Sequence, residues 1–431
     1  MEVRHQRRAP LTTSTPATAS SAAVPAPRPR MPWLPLTALA AVGFVLLSAE
    51  TMPAGLLPVI AHDLGTGEGV VGQFISVWAL GTVVVTVPAL TSTQGFRRKP
   101  LLLAALAGLV LANGVTAVSS DVVLSLVSRF VGGAFTGVLW GMLAAYGRRI
   151  SPPDRGGLAL AVVATGAPVG FALGTPLGAW VGAVVDWRWS FAGLSFIGVV
   201  LIVVIAAVVP GLSGLPRTAR LPLRRVFRLR GIPIVLLVIV VWMLGHNTVY
   251  TYIAPFLRDG GSGLTPDLVL LVYGIASVGG VVVTALVVDH HPRLLLQTSI
   301  IAFVVAAGVL VVDHASPVAV LLAAGLWGLS FGGASPQLQS ALSIAGGAQA
   351  DLANAFLPVA FNLAIFAAGL VGAVLLGVSG GLVLGVFMAV LGVVALGLTV
   401  VGRATFSARS CAAPDAVVVR RGSLGRPRSR R

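Results

Sequence analysis

Two opposite charges stand inside otherwise apolar stretches of this 431-residue chain. Glu50 lies in LPLTALAAVGFVLLSAETMPAGLLPVI, residues 34–60, and Arg129 lies in LSLVSRFVGGAFTGVLWG. An ionised side chain deep in a membrane helix costs roughly 2.5–3.5 kcal/mol on insertion scales, so it persists where it carries a proton, meets a substrate charge or pairs. Measured from the same face, the two sit at comparable depth. Pairing, direct or through water, is therefore expected. The cation favours the ionised carboxylate and burial favours the protonated one, so a carboxylate balanced in this way can load and release a proton. A purely structural pair that keeps two helices in register is the alternative.

The composition says what must hold these charges. The chain is 56% hydrophobic and 10% charged, against about 25% charged in soluble domains. It is read as an all-α integral membrane protein, because apolar runs of about 20 residues exclude alternating barrel strands. The net charge of +16 would point to nucleic acid in a soluble protein. Here the basic residues fall in loops and tails, so no nucleic-acid partner is expected. Cys411 is the one cysteine, which leaves neither an intramolecular disulfide nor a cysteine metal site. The Arg7–Arg8 pair is not read as an export signal, since the apolar run that follows is too long for a signal core.

Twelve apolar spans are expected, at 34–60, 70–91, 101–118, 122–145, 158–181, 191–209, 232–257, 268–288, 295–312, 318–338, 352–376 and 382–401. A polar N-tail (1–32), a basic linker (210–231) and a basic C-tail (402–431) complete the chain. With both termini cytoplasmic, all but three of the 29 Lys and Arg residues fall inside; Arg188 and Arg258 lie outside and Arg129 lies within a span. An odd number of spans would break that alternation. The linker separates two six-helix bundles, 33–209 and 232–401. Gly95–Pro100 after span 2 is weakly echoed by Asp289–Arg293 after span 8. Such a repeat suits a transporter whose halves rock about a midplane site.

Span 5 carries Gly166, Gly170, Gly174, Gly178 and Gly182 at intervals of four, with Pro168 and Pro176 interrupting its ladder. Span 4 adds Gly133, Gly137 and Gly141. A four-residue glycine stripe lets another backbone approach closely. A moving contact between the bundles is the sharper expectation and ordinary tight packing the plainer one. Gln73, Asn113, His246, Asn247, Tyr250, Tyr252, Gln337 and Asn362 are the candidate cavity residues, each of which serves equally well as glue between helices. His246 is more readily a packing residue than a proton relay. Tyr250 and Tyr252, with Phe256 nearby, would suit an aromatic wall for a lipophilic ligand. The sequence contains no HExxH, GxSxG or nucleotide loop. An enzyme is not expected, no cofactor or metal is expected, and energy would come from an ion gradient.

Taken together these residues resemble the major facilitator superfamily over about 34–401, in particular the twelve-span bacterial drug:proton antiporters with the chloramphenicol-resistance and sugar-efflux permeases. Glu50-Thr51-Met52-Pro53-Ala54-Gly55-Leu56-Leu57-Pro58 is similar to the first-span signature of that group. Arg129 with Gly132 and Gly133 matches its fourth-span pattern, and Gly174-Thr175-Pro176-Leu177-Gly178 stands where its fifth-span antiporter motif does. Trp187-Arg188-Trp189-Ser190, Tyr250-Thr251-Tyr252-Ile253-Ala254-Pro255 and Asn362 also fit.

The resemblance implies a monomeric multi-pass protein of the cytoplasmic (inner) membrane that exchanges protons for a small-molecule drug such as chloramphenicol, with Glu50 and Arg129 in proton coupling. A sugar or metabolite exporter and a proton-coupled importer are the alternatives. It also implies gating roles for Gly166, Gly170, Gly174, Pro176, Gly178 and Asp289. One departure stands out. The loop after span 2, Ser92 to Lys99, lacks the family's aspartate, although Asp289 keeps an acidic residue in its counterpart.

Overall fold

The computed structural model describes residues 31–93, 95–152, 155–214, 229 and 231–402; the N-tail to residue 30, most of the linker and the C-tail from 403 lie outside them. Among the described residues the fold is helical throughout, without strands. Span 1 is Trp33–Thr51 continued by Pro53–Asp63, span 2 is Glu68–Ser92, span 3 Arg98–Val118 and span 4 Val122–Ile150. Gly156–Val208 is one nearly unbroken helical stretch of 53 residues. At 1.5 Å per residue it is far too long to cross once. It is two spans. Asp186 takes an extended backbone and its carboxylate caps Arg188 N, so span 6, Trp187–Val208, folds back against spans 1 and 3.

The second half comprises span 7, Ile232–Thr251 with Ile253–Gly260, span 8, Pro266–Val287, and span 9, Pro292–Val312. Span 10 is Pro317–Gly332 with Ala334–Gly346, span 11 Ala350–Asn354 with Phe356–Ser379, and span 12 Val383–Val401. The halves repeat each other in their pairings. Span 2 packs on 4 as 8 packs on 10, and span 3 on 6 as 9 on 12. The breaks repeat too. Span 5 breaks at Thr165 and span 11 at Ala355, both with φ −64° and ψ −20°. Pro168 and Pro358 each stand three residues further on, lacking the N–H that would close the preceding turn.

The five glycines of span 5 turn out to face span 1 of their own half. A Cβ on Gly166 would strike the Ala40 carbonyl, one on Gly170 would crowd Phe44, one on Gly174 would strike Ser48 Oγ, one on Gly178 Met52 and one on Gly182 Leu56. Both series advance by four residues, which locks the register. The expected contact between the bundles is therefore corrected in its partner: Gly166, Gly170, Gly174 and Gly178 pack against span 1 of their own half rather than against the other half. Pro176, with no N–H for the Ala172 carbonyl, follows a wide π turn over Gly170–Gly174. The span 4 glycines serve the same purpose against span 2, where Gly133 abuts the Trp78 carbonyl and Gly137 abuts Thr82 and Thr86.

The halves meet along two seams, span 2 with 11 and span 5 with 8. Span 8 packs along 166–181 of span 5, where Gly274 lies on the Phe171 carbonyl, while Gly156 and Gly157 at the linker end have nothing within 4 Å of a Cβ. On the face away from the linker, Arg258 Nη1 donates to Glu68 Oε1 at 2.5 Å, joining the end of span 7 to the start of span 2. Asp63 accepts from Arg188 and from Trp187 Nε1, and Arg188 Nη2 reaches the Ser119 carbonyl, tying spans 1, 3 and 6. On the linker face Lys99 Nζ donates to the Ala206 carbonyl and Tyr146 Oη to that of Pro210. Among the described residues, polar bonds between the halves are seen on the far side, at Glu68–Arg258 and around the Gly369 carbonyl.

Gly174→Val should lower the thermal midpoint in detergent, by overpacking of the order of 1–3 kcal/mol, while Gly156→Ala should leave it unchanged. Partial burial alone would raise the Asp63 carboxyl, but the bonds from Arg188 and Trp187 and the Arg188 charge outweigh it and hold Asp63 below its usual value. A depressed carboxyl contributes stability above its unfolded value and loses it as pH falls through the folded one. Asp63→Asn should therefore melt earlier than the parent protein at neutral pH, and melting curves should converge once the pH is below the carboxylate range.

Candidate functional site

Span 1 cannot stay a regular helix through Pro53. Residue 53 has no N–H, so the carbonyl of Ala49, four residues back, loses its helical donor. In a membrane interior such a group needs a replacement. Arg129 supplies one. Its Nη2 donates to Ala49 O at 2.7 Å and reaches Glu50 O at 3.4 Å, while Nε donates to Phe74 O on span 2 at 3.3 Å. The guanidinium lies 4.1 Å from the ring centroid of Trp78 and 5.5 Å from that of Phe191, and no part of Arg129 is exposed. One cation thus gathers spans 1, 2 and 6 around span 4.

The Glu50 carboxylate is left out of this arrangement. Glu50 is buried to 7% exposure, yet forms no direct ion pair with Arg129 and accepts no hydrogen bond from a described residue. The expected pairing takes a different form: Arg129 holds the Glu50 backbone and acts on its carboxylate through its field. The next residue, Thr51, bonds Thr175 of span 5 through their hydroxyls at 2.6 Å. Tyr250 of span 7 stands beside these two threonines and within the field of Glu50.

Tyr250 belongs to an aromatic wall contributed mostly by the second half. It meets Phe171 of span 5 edge-on at 5.7 Å and Tyr273 of span 8 at 5.4 Å. Tyr273 lies 4.8 Å from Trp327, and His246 stacks on Phe331 at 3.6 Å with their planes 11° apart. The candidate site is a buried carboxylate on one half within electrostatic reach of Tyr250, whose ring belongs to this cluster. Phe171, Tyr273, Trp327 and Phe331 were not read from the sequence. Two signals were there: His246 and Tyr250, and Trp327 and Phe331, are each four apart, which puts each pair on one helix face.

The remaining candidates are dispersed. Tyr252, two residues from Tyr250, points away from the wall because two helical steps are about 200°. It donates to Gly369 O at 2.8 Å, where Gln73 Nε2 also donates at 3.0 Å, so the two join spans 2, 7 and 11. Phe256 packs on span 12 at Gly385. Gln337 donates to Thr284 and Ser299, binding spans 8, 9 and 10 within the second half. Asn247 and Asn362 donate to carbonyls of their own helices. Asn113 is sealed in span 3 with both side-chain polar atoms unpartnered. Asp289 is exposed on the turn after span 8 and makes no ion pair or hydrogen bond among the described residues. Of the eight cavity candidates, His246 and Tyr250 stand at the wall.

Comparison with known proteins agrees with this architecture. Residues 39–350 match the sequence profile of the family described as Major Facilitator Superfamily. The chain is 29% identical over 392 residues to a chloramphenicol efflux pump of Mycobacterium tuberculosis strain CDC 1551 / Oshkosh, covering 86% of this chain and 93% of that protein. A second protein of that name, from strain ATCC 25618 / H37Rv, is 29% identical over 387 residues with the same coverage. The transcription regulatory protein OpdE of Pseudomonas aeruginosa PAO1 is 30% identical over 310 residues, 69% of this chain and 76% of its own length.

If Arg129 stands in for the missing N–H of Pro53, the two residues are energetically coupled. Arg129→Ala should cost stability of the order of 1–3 kcal/mol, the penalty of leaving buried carbonyls unbonded. Adding Pro53→Ala, which restores the N–H, should recover part of it. A double-mutant cycle by thermal unfolding in detergent checks this; strictly additive losses would show that Arg129 holds span 1 by other means.

Proposed function

This chain belongs to the major facilitator superfamily, a family of transporters, and from that premise we propose that it expels a small organic solute, a drug such as chloramphenicol, in exchange for protons. The observation that carries the reading is the free carboxylate of Glu50. The bonds Arg129 makes, from Nε and Nη2, go to backbone carbonyls and its Nη1 has no partner among the described residues, so Glu50 is held in place without being neutralised by contact. A proton can then join or leave the carboxylate without breaking an ion pair. The aromatic wall opposite offers a lipophilic surface to the solute, and the similar proteins named as chloramphenicol efflux pumps support the choice of drug.

In the proposed cycle the linker face is the cytoplasmic face of the cell's inner membrane, both termini are cytoplasmic, and the protein works as a monomer. The arrangement described above, joined on the far side, receives solute from the cytoplasm while Glu50 gives up its proton there. Separation of the Glu68–Arg258 pair and of Tyr252 and Gln73 from Gly369 opens the far side. Glu50 then takes a proton from outside and the solute leaves. Burial makes the charged form costly during the crossing. In this cycle the outward passage carries the solute and the return passage carries the proton on Glu50, which is what couples the two fluxes. No cofactor enters the cycle.

Reconstituted Glu50→Gln protein should lose uphill efflux driven by a proton gradient and keep downhill solute exchange. Normal uphill transport by that variant would overturn the reading, and net inward accumulation by the parent protein under the same gradient would reverse its direction.

A further inference from the structure

His246 lies one helical turn before Tyr250 on span 7 and is 1% exposed. Trp327 Nε1–H donates to its Nδ1 at 2.9 Å. An indole N–H can only donate, so Nδ1 must offer its lone pair and the ring proton must sit on Nε2. No described residue accepts from that Nε2–H. The ring is clamped between Phe331, stacked at 3.6 Å, and Tyr273, tilted by 29° at 5.7 Å. Protonating Nδ1 would set two donors against each other among aromatic faces, with no carboxylate bonded to the ring. The imidazole is therefore a neutral, fixed-tautomer donor rather than a proton relay.

We propose that His246 is the hydrogen-bond donor that selects the solute, and that the site takes a lipophilic aromatic molecule bearing an acceptor, such as a nitro or carbonyl oxygen, close to its ring. The inference rests on the reading of the aromatic wall as the solute site and adds the group that discriminates there. A ring of the right shape without an acceptor leaves the N–H unpaired once water is excluded. A site built to bond one polar group discriminates in this way far more strongly than an apolar pocket discriminates size. Trp327 is the positioning residue: it touches no solute and sets which nitrogen carries the proton.

Amide side chains separate the two imidazole nitrogens. His246→Asn places an oxygen near Nδ1, keeping the Trp327 bond but offering nothing at the Nε2 position. His246→Gln reaches the Nε2 position with an N–H. Binding of chloramphenicol, an aromatic ring carrying a nitro group and an amide, should be measured on the purified full-length protein in detergent. The Asn variant should bind about tenfold or more weakly and the Gln variant close to the parent. Parent-like binding by Asn, or equal loss in both, overturns the inference. A second arm needs no solute. Nitrogen-15 spectra of histidine-labelled protein, with the His246 signal assigned by the Gln variant, should show a neutral ring protonated on Nε2. Protonation on Nδ1, or a charged ring at neutral pH, overturns the inference as well. If the parent fails to bind chloramphenicol, it is the proposed solute that falls, and the spectra still decide the donor.

Discussion

The interaction on which the structure depends is the one between Arg129 and the backbone of span 1. Inside a bilayer every carbonyl needs a donor, and Pro53 removes one from Ala49 in the middle of the first half. A guanidinium from span 4 fills the gap at 2.7 Å and is itself stabilised over the Trp78 ring. The buried cation and the helix break resolve each other. Without the break, Arg129 would lack its shortest acceptor; without Arg129, the break would expose a bare carbonyl at the depth where Glu50 must be held.

Close packing carries that local arrangement through the whole half. Glycines at intervals of four bring span 5 onto span 1 and span 4 onto span 2 until backbone touches backbone. Dispersion then replaces the hydrophobic drive that lipid cannot supply between helices. The halves meet just as closely at the seams between spans 2 and 11 and between spans 5 and 8, where Gly369 lies against Ser76 and Gly274 against the Phe171 carbonyl. On the far side polar bonds add to that packing: Glu68 with Arg258, and Tyr252 and Gln73 on the Gly369 carbonyl.

Much of the fold was legible because the bilayer imposes a length and a charge rule that local sequence must obey. Twelve apolar runs and basic residues on alternate loops were enough to expect two groups of six, although spans 5 and 6 run together as one helical stretch until Asp186 turns the chain. Less of the site was legible. Glu50 and Arg129 stood out because a charge in an apolar run is costly wherever it points. Tyr252, Gln73 and Gln337 did not declare whether they face a cavity or a neighbouring helix, because a short polar side chain meets either need at similar cost.

Sequence alone determined the membrane class, the number of crossings, the two buried charges and the glycine spacing, since each follows from composition and from intervals along one chain. Tertiary structure decided the partners. It turned the glycine stripe toward span 1 rather than the other half, and it directed Arg129 to the carbonyls of Ala49 and Glu50 instead of the carboxylate. It also assembled Phe171, Tyr250, Tyr273, Trp327 and Phe331 from four separate spans. Those outcomes depend on the azimuth at which each helix meets its neighbours. That azimuth is set by the packing of all twelve spans at once, and no single stretch of sequence contains it.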